Sequence, residues 1–107
     1  MRLADHTASM LEGTELADDV VQGIITATTT AAPVQTISRR ILWILFQNLG
    51  TANVFFGASN VANSGANRGP RMTPNGETPV LPVNDLNKIW LISASGSQDV
   101  AYIAGIR

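Results

Sequence analysis

The chain has 107 residues and no cysteine, which is enough for one domain with one core and rules out disulfides and thiolate metal sites. Charged residues are only 14% of it, against roughly 25% in an ordinary soluble domain, and Ala, Ser, Thr, Asn and Gly fill the difference, a surface suited to contact with protein. The net charge of −1 is unevenly placed: Asp5, Glu12, Glu15, Asp18 and Asp19 precede residue 20, whereas from Val20 onward three acids (Glu77, Asp85, Asp99) face six bases (Arg39, Arg40, Arg68, Arg71, Lys88, Arg107).

Residues 1–19 mix Leu3, Met10, Leu11 and Leu16 with acids and Gly13. Ser9 with Glu12 three residues later permits one capped helical turn, but too few apolar positions recur at helical spacing for more. The segment reads as an extended arm with apolar anchors. Its acidity suits docking on a basic surface, its own or a neighbour's, and a solvated terminus is the plainer alternative. The opening residues lack the apolar stretch of a signal peptide, and no apolar run nears the ~20 residues that cross a bilayer. A soluble protein with no membrane partner is expected.

Residues 20–107 read as an all-β domain. Val20 to Thr30 is rich in β-branched residues, which suit a pleated surface; it forms one long strand or two, with Gly23 a candidate bulge. Ala31-Ala32-Pro33 breaks it, since proline cannot donate to a ladder. Val34 to Ser38 alternates as a half-exposed strand leading into Arg39-Arg40, which reads as a pair with one side chain on each face, meeting an acidic neighbour.

Ile41-Leu42-Trp43-Ile44-Leu45-Phe46 organises the chain. Periodicity alone leaves a helix open, but six apolar residues in a row suit a strand covered on both faces. The turn residues Asn48 to Asn53 and then Val54-Phe55-Phe56-Gly57 make a hairpin the expected reading. Ala58 to Asn75 is a long loop containing Arg68 and Arg71, with only Val61 and Met72 as burial candidates. A loop of this length binds something or moves.

Asn75-Gly76 is a turn pair, Glu77 to Val83 an edge strand limited by two prolines, and Asn84 to Lys88 a turn. Ile89 to Ala94 is a second buried strand, expected beside the first, so that Trp43 and Trp90 lie side by side in the interior. Gln98 to Arg107 closes the chain with Val100, Tyr102, Ala104 and Ile106 on one face. The whole is a small antiparallel β-sandwich or barrel, jelly-roll-like, with an extended N-terminal arm.

No catalytic constellation is visible, and no enzyme is expected. The lone His6 sits in the arm, and no serine is marked as a nucleophile. The acids show no metal-ligand spacing, and Asp85 and Asp99 sit in turns where aspartate is common. The glycine-rich stretch Gly65 to Arg71 lacks a phosphate-loop lysine and a following helix. Arg39, Arg40, Arg68 and Arg71 are few for nucleic acid on a chain of net negative charge. Trp43, Phe46, Phe55, Phe56 and Trp90 suit core packing better than a ligand pocket.

One resemblance spans roughly residues 36–104. Arg39-Arg40, the apolar strand, Gln47-Asn48-Leu49-Gly50-Thr51-Ala52-Asn53-Val54 and an aromatic pair with Gly57 come first. Then follow Gly76-Glu77, Leu81-Pro82-Val83-Asn84-Asp85-Leu86-Asn87-Lys88-Ile89-Trp90, and Ile92-Ser93-Ala94-Ser95-Gly96-Ser97-Gln98 with Val100. This order resembles small virion proteins of tailed bacteriophages. The resemblance implies a β-sandwich on the phage head, made in the host cytoplasm, and within that class a capsid decoration (cement) protein. Its implied partners are the major capsid protein and copies of itself as a homotrimer, with no cofactor and no small-molecule substrate. The residues expected to make contacts are Asp5, Leu11, Leu16, Asp18, Asp19, Arg39, Arg40, Arg68 and Arg71. The competing expectations are a neck or tail component, or a fibre head that recognises a host receptor; a small hydrolase and a ligand-binding module stand further off.

Overall fold

Two antiparallel sheets form a sandwich in the computed structural model, which describes residues 16–107. In chain order the strands are β1 (Asp19–Ala27), β2 (Ala32–Pro33), β3 (Trp43–Asn48), β4 (Val54–Gly57), β5 (Arg71–Met72), β6 (Trp90–Ser93) and β7 (Gln98–Ile106), with a 3₁₀ turn at Leu86–Lys88. One sheet has the order β1-β7-β3 and the other β2-β6-β4-β5. The sandwich is open rather than a closed barrel. The expected arm, with Asp5, His6, Leu11 and the helical turn allowed for near Ser9, lies outside the described residues apart from its last positions.

The core lies between the sheets. Ile44, Phe46, Val54, Val100 and Ala104 are fully buried, joined by Leu86, Leu91 and Met72. Val100, Tyr102, Ala104 and Ile106 face it together as the alternation requires, because β7 is the central strand of its sheet and only one of its faces meets the core. Val61 and Met72 are buried, as expected of the segment's apolar candidates, but Met72 lies in β5, so the expected loop 58–75 contains a short strand paired with β4.

Several elements depart from expectation. The proposed hairpin of residues 41–57 does not exist: β3 pairs with β7 in one sheet, while β4 pairs with β5 and β6 in the other. The segment between them therefore crosses from sheet to sheet. It is fixed by Asn48, whose side-chain amide donates to the carbonyls of Ala52 (2.8 Å) and Met72 (3.0 Å). For the same reason Trp43 and Trp90 are not neighbours on adjacent strands, and both are only half-buried.

Gly23 is no bulge; β1 runs in unbroken register against β7, and Gly23 lies beneath the ring of Tyr102. Ala32–Pro33, expected to break a strand, is itself a short edge strand on β6, a position where a missing donor is harmless. Residues 34–38 form no strand; Val34 instead donates its N–H to the Ile89 carbonyl (2.9 Å). Glu77 to Val83 does lie along β3, but its β-bridges are confined to Glu77 and Leu81, with Thr78 exchanging hydrogen bonds with Phe46 between them, since Pro79 and Pro82 cannot extend the ladder. The turn at 84–88 is the 3₁₀ helix capped by Asp85, and it buries Leu86.

Candidate interaction surface

The register across β1, β7 and β3 fixes which side chains share each face. Ile44, Phe46 and Asn48 point inward and are buried, so the intervening Trp43, Leu45 and Gln47 point outward. Their cross-strand partners are Gly105, Ile103 and Ala101 on β7, and these pair in turn with Val20, Gln22 and Ile24 on β1. The outer face is therefore built largely from Trp43, Leu45, Ile103, Ala101, Val20 and Ile24. Val20 and Ile24 are 47% and 64% exposed, and Trp43, Leu45, Ala101 and Ile103 are half-buried. The sequence reading expected the strand at Trp43 to be covered on both faces. Among the described residues it is packed into the core on the inner face alone.

The other sheet solves the same problem internally. On its outer side Phe55 and Ile92 are buried against Val61, with Ala31 and Trp90 packed around them. Val61 comes from the loop after β4, which folds back over the sheet. The Phe56 N–H donates to the Pro70 carbonyl (3.1 Å) and the Ala62 N–H to Asn67 (3.0 Å). Gly69 permits this approach, since a Cβ there would stand 2.1 Å from the Phe56 carbonyl oxygen. The long loop is thus largely a lid on its own sheet, with an exposed apex at Ser64 to Arg68. Among the described residues nothing plays that part on the outer face of β1-β7-β3. A shallow hollow of about 290 Å³ lies there, lined by Leu45, Ala101 and Ile103 with Gln22, Gln47 and Glu77.

Among the described residues no strand pairs with the outer side of β1, which forms the edge of the same sheet. The Gly105 carbonyl accepts from the Leu42 N–H (2.8 Å) and so is turned toward β3. Val20, its register partner, consequently directs its N–H and C=O away from β7, as Gln22, Ile24 and Thr26 do by the alternation. Only the Val20 N–H has a local substitute, the Asp19 Oδ1 at 2.8 Å. This nine-residue strand carries no proline and no lysine, the usual guards of an exposed edge.

At one end of the sandwich Asp85 organises a polar corner. Its carboxylate accepts from the Ser38 hydroxyl, the Arg39 N–H (3.0 Å) and the Asn87 N–H (3.1 Å). The Ser38 hydrogen bond, helped by the Asn87 and Arg39 amides and the Lys88 charge, holds its carboxyl below the usual aspartate value against a smaller opposing effect of burial. The acidic neighbour expected for Arg39-Arg40 is therefore Asp85, but it is met through backbone: Arg39 donates its amide and Arg40 forms a β-bridge. Both side chains are exposed in a loop before β3, instead of lying on opposite faces of a strand.

The other expected contact residues are scattered. Leu16 is exposed and precedes β1; Asp18 and Asp19 are exposed at its start. Arg68 lies at the loop apex and Arg71 on β5, on the other sheet. Asp5 and Leu11 are outside the described residues. Reading from charge missed Trp43, Leu45, Ile103 and Ile24. The signal that would have found them is the unbroken apolar run at 41–46, which in an all-β domain leaves apolar groups on both faces of a strand. Among the described residues no three carboxylates or imidazoles converge as a metal ion requires.

No known protein family matches the sequence, and no curated protein matches it. One solved structure is similar in outline, a chain from work on Bacillus endospore appendages described as a novel family of disulfide-linked pili. It is 13% identical with a TM-score of 0.37, and the match covers 83% of this chain and 87% of that one.

Proposed function

We propose that this chain is a structural subunit that acts by protein–protein contact, as a capsid decoration protein of a tailed phage. The observation that carries the contact role is the outer face of β1-β7-β3, where Trp43, Leu45, Ile103, Val20 and Ile24 form a solvent-facing apolar surface while the opposite sheet is capped by the chain's own loop. Contiguous apolar surface of this kind marks an interaction site in a soluble protein. The phage setting comes from the sequence resemblance. Reinforcement follows from mass action: a subunit that binds only assembled shell stabilises the assembled state.

The test is to purify virions and count this chain against the major capsid protein by gel densitometry, then bind the recombinant chain to stripped shells. Hundreds of copies per particle and saturable shell binding support the reading; a handful of copies removes it. The exposed apex Ser64 to Arg68 favours a second reading, the head of a fibre that binds a host receptor, or a neck or tail component. That reading requires low copy number and, for a fibre head, binding to cells that loop substitutions abolish.

A further inference from the structure

The edge strand β1 presents a row of backbone groups to the outside. Val20, Gln22, Ile24 and Thr26 direct their N–H and C=O groups away from β7, and among the described residues no strand meets them. The side chains of these four are exposed. A row of this kind is a template for a further strand. It is also symmetric about Gly23, since two of the four residues precede that glycine and two follow it at equal spacing. A strand with that property can pair with a copy of itself.

We propose that the occupant of this edge is β1 of a second copy of the chain, antiparallel about a two-fold axis at Gly23. Val20 then stands opposite the partner's Thr26, and Gln22 opposite the partner's Ile24. All four residues of each strand exchange both backbone groups with the other strand. Either neighbouring register does worse. One sets Thr26 opposite a copy of Asp18, whose N–H is already given to the Ile106 carbonyl (2.9 Å). The other sets Val20 opposite a copy of Thr28, whose carbonyl already accepts from the Ser93 N–H (2.7 Å). Charge fixes the direction. Antiparallel pairing places Asp18 and Asp19 beside the partner's Thr28 and Ala27, whereas a parallel pair would set each acid against its own copy. The Val20 N–H exchanges its local acceptor, Asp19 Oδ1, for the partner's Thr26 carbonyl. On the inner face Val21 stands opposite the partner's Ile25, two positions that pack against the core in each chain. The β1-β7-β3 sheets of two chains become one continuous sheet, and the two-fold closes the assembly at a dimer. The contact is made by backbone at the edge, apart from the side-chain contacts proposed for the outer face, and it differs from the homotrimer that the phage resemblance implies.

The experiment measures the mass of the full chain by sedimentation over a range of concentrations, with a monomer–dimer equilibrium expected. Gln22→Pro removes an N–H that points away from β7, so the ladder within the chain survives. It should weaken the dimer by at least about tenfold, or roughly 1.4 kcal/mol, with an unchanged circular dichroism spectrum. Cysteine pairing tests the register in a chain that has no cysteine of its own. Val20 and Thr26 are both exposed. An oxidised mixture of Val20→Cys and Thr26→Cys chains should give a disulfide-linked dimer, because paired residues stand about 5.5 Å apart at Cα. Either variant alone should not, because its two cysteines are then about 20 Å apart along the strands. A monomer or a trimer at every concentration, whatever else pairs with β1, would overturn the assignment. So would a dimer of undiminished affinity in Gln22→Pro, or cross-linking of either cysteine variant alone as readily as the mixture. None of these readings involves a shell, so they stand or fall separately from the virion reading.

Discussion

The indole of Trp43 rests on Gly105, so close that a Cβ at residue 105 would stand 2.4 Å from both its Cε2 and its Nε1. The two residues are register partners on β3 and β7, and Ala17 closes on the same spot from the other side, 2.8 Å from that Cβ position. Glycine here is a seat for a large ring on the outer face of the sheet. Gly105→Ala is expected to push the indole off that seat and to destabilise the fold by about 1–3 kcal/mol, the usual cost of overpacking. A lowered urea midpoint together with red-shifted tryptophan emission is the expected result; Trp43→Phe in the same background separates this tryptophan from Trp90.

Asn48 should be among the costliest polar positions to truncate. It is fully buried, donates to the Ala52 and Met72 carbonyls, and accepts from the Gly50 N–H at 2.9 Å. Asn48→Ala leaves those groups without their partner where water has little access. A loss of about 2–3 kcal/mol is expected, read as a shift in denaturant midpoint at unchanged slope.

Acid should loosen the corner at residues 38–41 and 84–88 first. The Asp85 carboxyl is held below its ordinary value of 3.8, so its ionised form is favoured by the folded state. Its stabilising contribution is complete above the unfolded value and is lost as pH falls below about 4 through the folded one. Asp85→Asn should therefore flatten the pH dependence of stability in that range. Amide hydrogen exchange at Arg39 and Asn87, whose N–H groups the carboxylate holds, should rise selectively on acidification in the native chain.

Charges placed on the outer sheet face should spare the fold and abolish association. Ile24 is 64% exposed, so Ile24→Lys is expected to change stability by no more than about 0.5 kcal/mol. Leu45→Glu lies on the same face and should cost somewhat more because Leu45 is half-buried. Both should reduce binding to assembled shells by at least about tenfold, the result of roughly 1.4 kcal/mol. Ser64→Lys on the loop apex should not. Full shell binding by Ile24→Lys and Leu45→Glu would remove this face from the interaction.

Strand class and the buried face of β7 could be read from the sequence because alternation and β-branching are local signals: Val100, Tyr102, Ala104 and Ile106 needed no knowledge of partners. Pairing was another matter. Asn48 to Asn53 carries turn chemistry that suits a hairpin as well as a crossing between sheets, and the difference is decided by Asn48 reaching Met72, 24 residues away in the chain. The lid over Phe55 and Ile92 was hidden for a similar reason. Val61 is one apolar residue in a polar loop, and its burial depends on Gly69 letting the backbone close in. The sequence reading looked for contacts among charges and the arm's Leu11 and Leu16, whereas the exposed apolar face of β1-β7-β3 is built from Trp43, Leu45, Ile103 and Ile24, residues distributed over three strands.

The loop that shelters Phe55 and Ile92 has a consequence for how many molecules can accumulate. If the outer face of β1-β7-β3 is the contact surface proposed above, a body with one such flank and its own roof on the other is expected to tile a support once. The roof offers the next arrival little to grip, so the expected deposit is a single layer, with its thickness set by the protein's own chain and not by supply.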